Sequence, residues 1–276
     1  MAAKKSSKNI SSNPIGIFDS GIGGLTVANA IQKVLPHESL IYFGDTAHLP
    51  YGDKSPDSIK YYGIRIVQFL LDNNCKMIVI ACNTASALAY EAVKDFINGK
   101  VPVINVIDPV VEEIINDKKL NKIGVIGTKG TIKSDIYPKR IKAKKKSLEV
   151  ASLATPLLAP MIEEGFFNNK ISRSIIASYL SSRKLNKIDC LILACTHYPL
   201  IRPEVEEFYK KKINIIDTAG VVAANVKKVL QEKDLLSKKK KPKHHFYVSD
   251  FTKSFEDSTR FFFRSKIHLE KVNFWK

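Results

Sequence analysis

Cysteine is scarce in this chain, with four residues among 276. Four cannot staple a disulfide framework at this length, and the number fits a reducing compartment. Long apolar runs are missing too: none approaches the roughly 20 residues needed to cross a bilayer, so no membrane contact is expected. The opening 1–13 is polar and carries Lys4, Lys5 and Lys8 with no apolar stretch behind them. A secretory leader is thereby excluded; the segment reads as a flexible basic extension, and the expected location is cytoplasmic.

Acidic residues are also in short supply, 27 against 44 Lys and Arg, for a formal charge of +17. Three windows without a single acid, 1–10, 138–146 and 237–245, hold 14 of that excess. They contain no interleaved aromatics and no base-reading pattern. Solvated lysine-rich surface is the primary reading, with nucleic acid or another polyanion as the weaker alternative.

What the chain does have is 45% hydrophobic residues, enough for a sizeable core, and a length that suits two domains. Short Ile/Val-rich runs alternate with helical stretches, the pattern of α/β units around mainly parallel sheets. Strands are expected at 14–18, 40–43, 77–81, 103–107, 122–126, 148–153, 190–194 and 213–216. Their continuous apolar character implies cover on both faces.

Three of these strands repeat. Ile15-Gly16-Ile17-Phe18-Asp19-Ser20 is echoed 108 positions later by Ile123-Gly124-Val125-Ile126-Gly127-Thr128. Ile78-Val79-Ile80-Ala81-Cys82-Asn83-Thr84 is echoed 113 positions on by Leu191-Ile192-Leu193-Ala194-Cys195-Thr196-His197, and Ile104-Asn105-Val106-Ile107-Asp108 is echoed 109 positions on by Ile213-Asn214-Ile215-Ile216-Asp217. Three echoes in order predict two similar α/β domains. Ligands of such sheets lie beyond the carboxyl ends of the strands, where Cys82 and Cys195 both fall. Domains related by a pseudo-twofold axis would set one thiol on each side of a cleft.

Each of these two cysteines follows an apolar strand ending in Ala and precedes small polar residues able to donate to a carboxylate or a thiolate, with a helix start that lowers a thiol pKa. Cys75 and Cys190 lack that setting, and buried packing is the reading for them. The spacings C-x6-C and C-x4-C do not match a zinc site, so no metal is expected. The turn Asp19-Ser20-Gly21-Ile22-Gly23-Gly24 departs from the dinucleotide glycine pattern and has no phosphate-binding lysine after it. It reads as a cradle for a small carboxylate or amino group, with Asp19 at the strand end. His197 beside Cys195 is placed to stabilise a thiolate or relay its proton.

Taken together, several segments resemble glutamate racemases of the aspartate/glutamate racemase superfamily: 16–27, Tyr42-Phe43-Gly44-Asp45-Thr46, Pro50-Tyr51-Gly52-Asp53-Lys54-Ser55, Ala81-Cys82-Asn83-Thr84-Ala85-Ser86 and Ala194-Cys195-Thr196-His197-Tyr198-Pro199-Leu200. Weaker matches lie at 160–165, 216–219 and 246–250. The resemblance implies two α/β domains, here 14–100 plus 212–276 and 101–211, with the active site in the cleft between them. It implies Cys82 and Cys195 as the acid/base pair, Asp19 and His197 assisting them, and Glu163 supporting the second. It further implies glutamate binding by Asp19, Ser20, Tyr51, Gly52, Asn83, Thr84, Thr196 and His197. No cofactor, a homodimer and a supply of D-glutamate for peptidoglycan follow from the same likeness. His48 stands where many relatives carry Arg. Rival readings are an aspartate racemase, a hydrolase using one cysteine with His197, and a nucleic-acid-binding protein.

Overall fold

The computed structural model describes residues 10–263 and 267–275; most of the basic extension expected over 1–13 lies outside them, and Ile10–Ser12 form one 3-10 turn. Among the described residues ten strands build two sheets: β1 (Ile15–Asp19), β2 (Leu40–Gly44), β3 (Met77–Ile80), β4 (Val103–Asn105), β5 (Lys122–Gly127), β6 (Glu149–Ala154), β7 (Cys190–Ala194), β8 (Asn214–Ile216), β9 (His244–Val248) and β10 (Glu270–Lys271). The first sheet has the order β10-β9-β2-β1-β3-β4 and the second β6-β5-β7-β8. All strand pairs are parallel. Every residue of β1, β2, β3 and β7 is buried, as continuous apolar runs require when helices cover both faces.

The repeat is visible in the topology. The order β2-β1-β3-β4 matches β6-β5-β7-β8 strand for strand, with β1 and β5, β3 and β7, and β4 and β8 as the echoed pairs. The fourth pair, β2 and β6, has no sequence echo because β6 is only partly buried and is free to carry Glu149 and Ser152. The first sheet then grows by β9 and β10 on the outer side of β2.

The expected boundaries at 100/101 and 211/212 each fall one strand early. β4 pairs with β3 in the first sheet and β8 pairs with β7 in the second. The chain completes each four-stranded unit before it crosses over, so Val103–Asn105 belongs with what precedes it and Asn214–Ile216 likewise.

Local chemistry fixes the helix starts. Ser55 accepts from Ser58 N at 3.2 Å ahead of Pro56, Thr128 accepts from Thr131 N at 3.2 Å, and Asp217 accepts from Ala219 N at 2.9 Å. Each satisfies an otherwise orphaned amide of a first turn. Away from the cleft a buried ion pair ties distant segments together. Lys76 Nζ donates to Glu38 Oε2 (2.5 Å), Ser11 O (2.6 Å) and Leu235 O (2.7 Å), and Glu38 Oε1 accepts from Ser237 N (2.8 Å).

The lysine window 138–146 lies largely on the helix Ile136–Lys144. Its Arg140 pairs with Glu91 and Asp108, and its Lys144 with Glu112, so part of that charge is spent within the protein. No described helix is long and apolar enough to cross a membrane.

Candidate active site

In each four-stranded unit the chain runs outward in both directions from the first strand, so a crevice opens where the carboxyl ends of β1 and β3, and of β5 and β7, diverge. Ser20 follows β1, Cys82 follows β3, Thr128 follows β5 and Cys195 follows β7. All four line one cavity of about 240 Å³. That is smaller than the roughly 300–1,000 Å³ typical of drug-sized sites, and it suits a ligand of amino-acid size.

Among the residues expected in the site, Ser20, Tyr51, Gly52, Cys82, Asn83, Thr84, Glu163, Cys195, Thr196 and His197 all line this cavity. Asp19 does not. It is fully buried behind the wall, where Oδ2 accepts from Gly21 N at 3.0 Å and Oδ1 from Thr196 Oγ1 at 3.4 Å. Burial raises the Asp19 carboxyl above its ordinary value, against the opposing charge of His197. Of the glycine-rich turn, Ser20 lines the cavity. The glycines serve close approach: a Cβ on Gly23 would sit 2.5 Å from His197 Cε1, and one on Gly24 would sit 2.5 Å from Asp19 Cβ.

The two thiols stand in different fields. Cys82 caps the helix Asn83–Leu88, accepting from Ala85 N at 3.5 Å, and its thiol donates to Ser20 Oγ at 3.7 Å. The helix start was expected to lower its pKa; burial, with the Asp19 carboxylate adding, pushes it up to about 12. Desolvation of a thiolate in a closed wall outweighs one amide donor. Cys195 Sγ lies 3.5 Å from His197 Nδ1, while the far nitrogen of that ring, Nε2, lies 2.8 Å from Glu163 Oε1. Burial alone would lower His197, but Cys195 and Glu163 on either side carry it well above its ordinary range. Phe262 packs edge-on against the same ring at 5.4 Å between centroids. Burial thus favours the protonated thiol at Cys82, and Cys195 stands beside an imidazole whose charged form is favoured.

Contacts across the cleft hold the two units together around the cavity. Thr84 Oγ1 meets Thr128 Oγ1 (2.9 Å) and Thr131 Oγ1 (3.1 Å), and Thr26 Oγ1 donates to Thr196 O (3.0 Å). Tyr51 is held by Asp45, whose carboxylate accepts from Tyr51 Oη, Ser249 Oγ and Trp275 Nε1, each at 2.7 Å. Asp45 lies in one of the segments that carry the resemblance, and nothing local signals its partners 204 and 230 positions away. Thr128, a further residue of the cavity wall, is signalled by the 108-residue repeat, which makes it the counterpart of Ser20. Cys75 and Cys190 are buried away from the cavity, and all four cysteines are free.

Comparison with known proteins bears on this arrangement. The profile of the Asp/Glu/Hydantoin racemase family matches residues 25–226. The glutamate racemase of Chlorobaculum tepidum is 42% identical over 258 residues, 93% of this chain and 94% of its own. The crystal structure of glutamate racemase from Francisella tularensis subsp. tularensis SCHU S4 in complex with D-glutamate superposes with a TM-score of 0.89 at 39% identity, covering 95% of this chain and 98% of that one. A Bacillus anthracis glutamate racemase gives 0.88 at 35% identity, with 95% and 98% covered.

Proposed function

Since the chain belongs to the glutamate racemases of the Asp/Glu/hydantoin racemase family, we propose that it interconverts L- and D-glutamate by proton transfer at the α-carbon between Cys195 and Cys82, without a cofactor. The observation that carries the reading is two thiols, following equivalent strands of two equivalent units, on the wall of one small cavity. Inversion of a stereocentre by proton transfer needs a base on one face and an acid on the other. A single residue would have to move between faces; two opposed ones need not.

In the L-to-D direction Cys195, as a thiolate beside the His197 imidazolium, takes the α-proton. Cys82, a thiol, delivers its proton to the opposite face. The protonation states are then exchanged, and a D-to-L turnover restores them. The α-hydrogen beside a carboxylate is a very weak acid, so proton transfer to an ordinary thiolate is steeply uphill. Burial and the nearby Asp19 charge make the Cys82 thiolate a stronger base than a thiolate in water, which narrows that gap in the D-to-L direction. Glu163 supports the charge on His197, which supports the charge on Cys195.

Donors around the substrate carboxylates stabilise the carbanion as it forms. Ser20, Asn83, Thr84 and Thr196 are the hydroxyl and amide groups on the cavity wall suited to this; Tyr51 and Gly52 complete the wall, with Gly52 packed against Thr128. Asp19 acts from behind the wall, through Thr196 and through its charge on Cys82. D-glutamate made in this way supplies peptidoglycan synthesis. The bound D-glutamate of the Francisella relative supports the choice of substrate.

The test is initial racemisation rates of the purified protein with L- and D-glutamate and with L- and D-aspartate, for the wild type and for Cys82→Ala and Cys195→Ala. The reading expects turnover of glutamate in both directions and loss of inversion in each variant. Full racemisation in Cys82→Ala would show that inversion does not need the second thiol and would overturn the two-base scheme.

A further inference from the structure

Asn83 and Thr84 stand side by side on the cavity wall, yet their polar groups are in different states. The Thr84 hydroxyl is shared between Thr128 and Thr131. The Asn83 amide is divided: Oδ1 accepts from Tyr137 Oη at 2.8 Å, and Nδ2 has no partner among the described residues although the side chain is only 2% exposed. A buried amide NH2 without an acceptor is costly, and this one belongs to a residue that lines the cavity where a dicarboxylic amino acid is proposed to bind.

We infer that Tyr137 is a positioning residue for the proposed racemisation, holding the Asn83 amide with its NH2 group presented to a substrate carboxylate. Its hydroxyl has no other partner among the described residues, and the ring is buried. Were the amide turned over, the hydroxyl would have to accept from Nδ2, its own proton would be left buried and unpaired, and Oδ1 would face the substrate carboxylate with like charge. Burial, with the Asp108 charge adding, holds the phenol above its ordinary range, so it remains a donor at working pH.

The contact also crosses the cleft. Asn83 follows Cys82 on the unit of the first sheet, whereas Tyr137 sits on the helix Ile136–Lys144, between β5 and β6 of the second. The amide is therefore oriented by the opposite unit, next to one of the two thiols, and only while the units are together. Asn83 alone would bind a carboxylate with either end of its amide in competition; Tyr137 removes the wrong end.

The inference rests on the proposed glutamate reaction, and a double-mutant cycle in the full-length enzyme separates the two. Wild-type turnover of glutamate is measured first, and its absence counts against the reaction itself. With the wild type active, Tyr137→Phe is expected to raise KM about ten-fold for both enantiomers, to lower kcat less than about three-fold and to leave the thermal midpoint in place. In an Asn83→Ala background the same substitution is expected to change kcat/KM less than about two-fold, because its target is gone. An unchanged KM in Tyr137→Phe, or effects that multiply in the double variant, overturns the inference. Side-chain amide resonances of 15N-labelled wild-type protein give a second test that does not depend on a variant folding. The Asn83 NH2 signals must shift on addition of D-glutamate, and signals that stay in place overturn it equally.

Discussion

Replacing Glu163 by glutamine removes one negative charge and almost no volume from the wall behind His197. The carboxylate reaches the sulfur only through the ring, 2.8 Å to Nε2 on one side and 3.5 Å from Nδ1 to Cys195 Sγ on the other. Unit charges about 4 Å apart interact by about 4 kcal/mol at an effective dielectric near 20 and by about 1 kcal/mol in water. With the Glu163 side chain 22% exposed and that of His197 6%, the pair lies between those limits, at about 2 kcal/mol. One decade in rate corresponds to about 1.4 kcal/mol, so kcat/KM is expected to fall roughly 30-fold. The enantiomers have equal free energies in water, and the fall must therefore be the same from either side. Glu163 is one reason His197 stands well above its ordinary range. Its loss should move the limb of the pH profile that reports deprotonation of the imidazolium to lower pH, which a merely structural defect would not do. Circular dichroism rates from both enantiomers across pH about 6 to 10 measure both effects. A loss under about three-fold, or a 30-fold loss with the limb unmoved, refutes the relay.

Gly23→Ala would drive a Cβ to within 2.5 Å of His197 Cε1 and 2.7 Å of Thr196 Oγ1; displacement of that loop should cost about 100-fold in kcat/KM, and near-wild-type rates would contradict the packing account. Lys76→Met leaves the Glu38 carboxylate buried without its cation and should lower stability by about 3–5 kcal/mol; urea unfolding reads this, with a loss under about 1 kcal/mol as the contrary result. Cys75, Cys82 and Cys190 keep their protons up to about 12 in the folded chain, whereas an unfolded thiol loses its proton near pH 8.5. Between these values the folded state binds more protons, so the free energy of unfolding falls as pH rises, by up to about 1.4 kcal/mol per pH unit for each thiol. Urea midpoints at pH about 8 and about 10 test this; a midpoint that does not fall contradicts the burial of these groups.

The parts of the fold written in contiguous residues were legible beforehand. β7 was expected at 190–194 and spans those residues, because five consecutive apolar side chains have no exposed alternative. β9 was missed: it alternates between partly buried and buried residues and follows a lysine run, a pattern that suits an added strand near a sheet edge as well as a loop. The domain boundaries slipped because the hydrophobic pattern marks where β4 and β8 lie but not which neighbour each pairs with.

The site divides in the same way. Cys82, Cys195, His197 and their neighbours are announced by position after a strand. Asp45, Tyr137 and the tight fit of Gly23 against His197 depend on partners many residues away, and no local pattern encodes such a meeting. Glu163, at the end of the short helix Leu158–Glu163, was reached by resemblance alone.

Glutamate incubated in heavy water with the wild-type enzyme, and sampled while conversion is a few per cent, tests the proposed pair of acid/base thiols most directly. Two separate acid/base groups predict that the α-deuterium appears in the inverted enantiomer while the recovered substrate stays protiated, from either starting enantiomer. Deuterium entering recovered substrate as fast as product, which one group working on both faces would produce, contradicts the account.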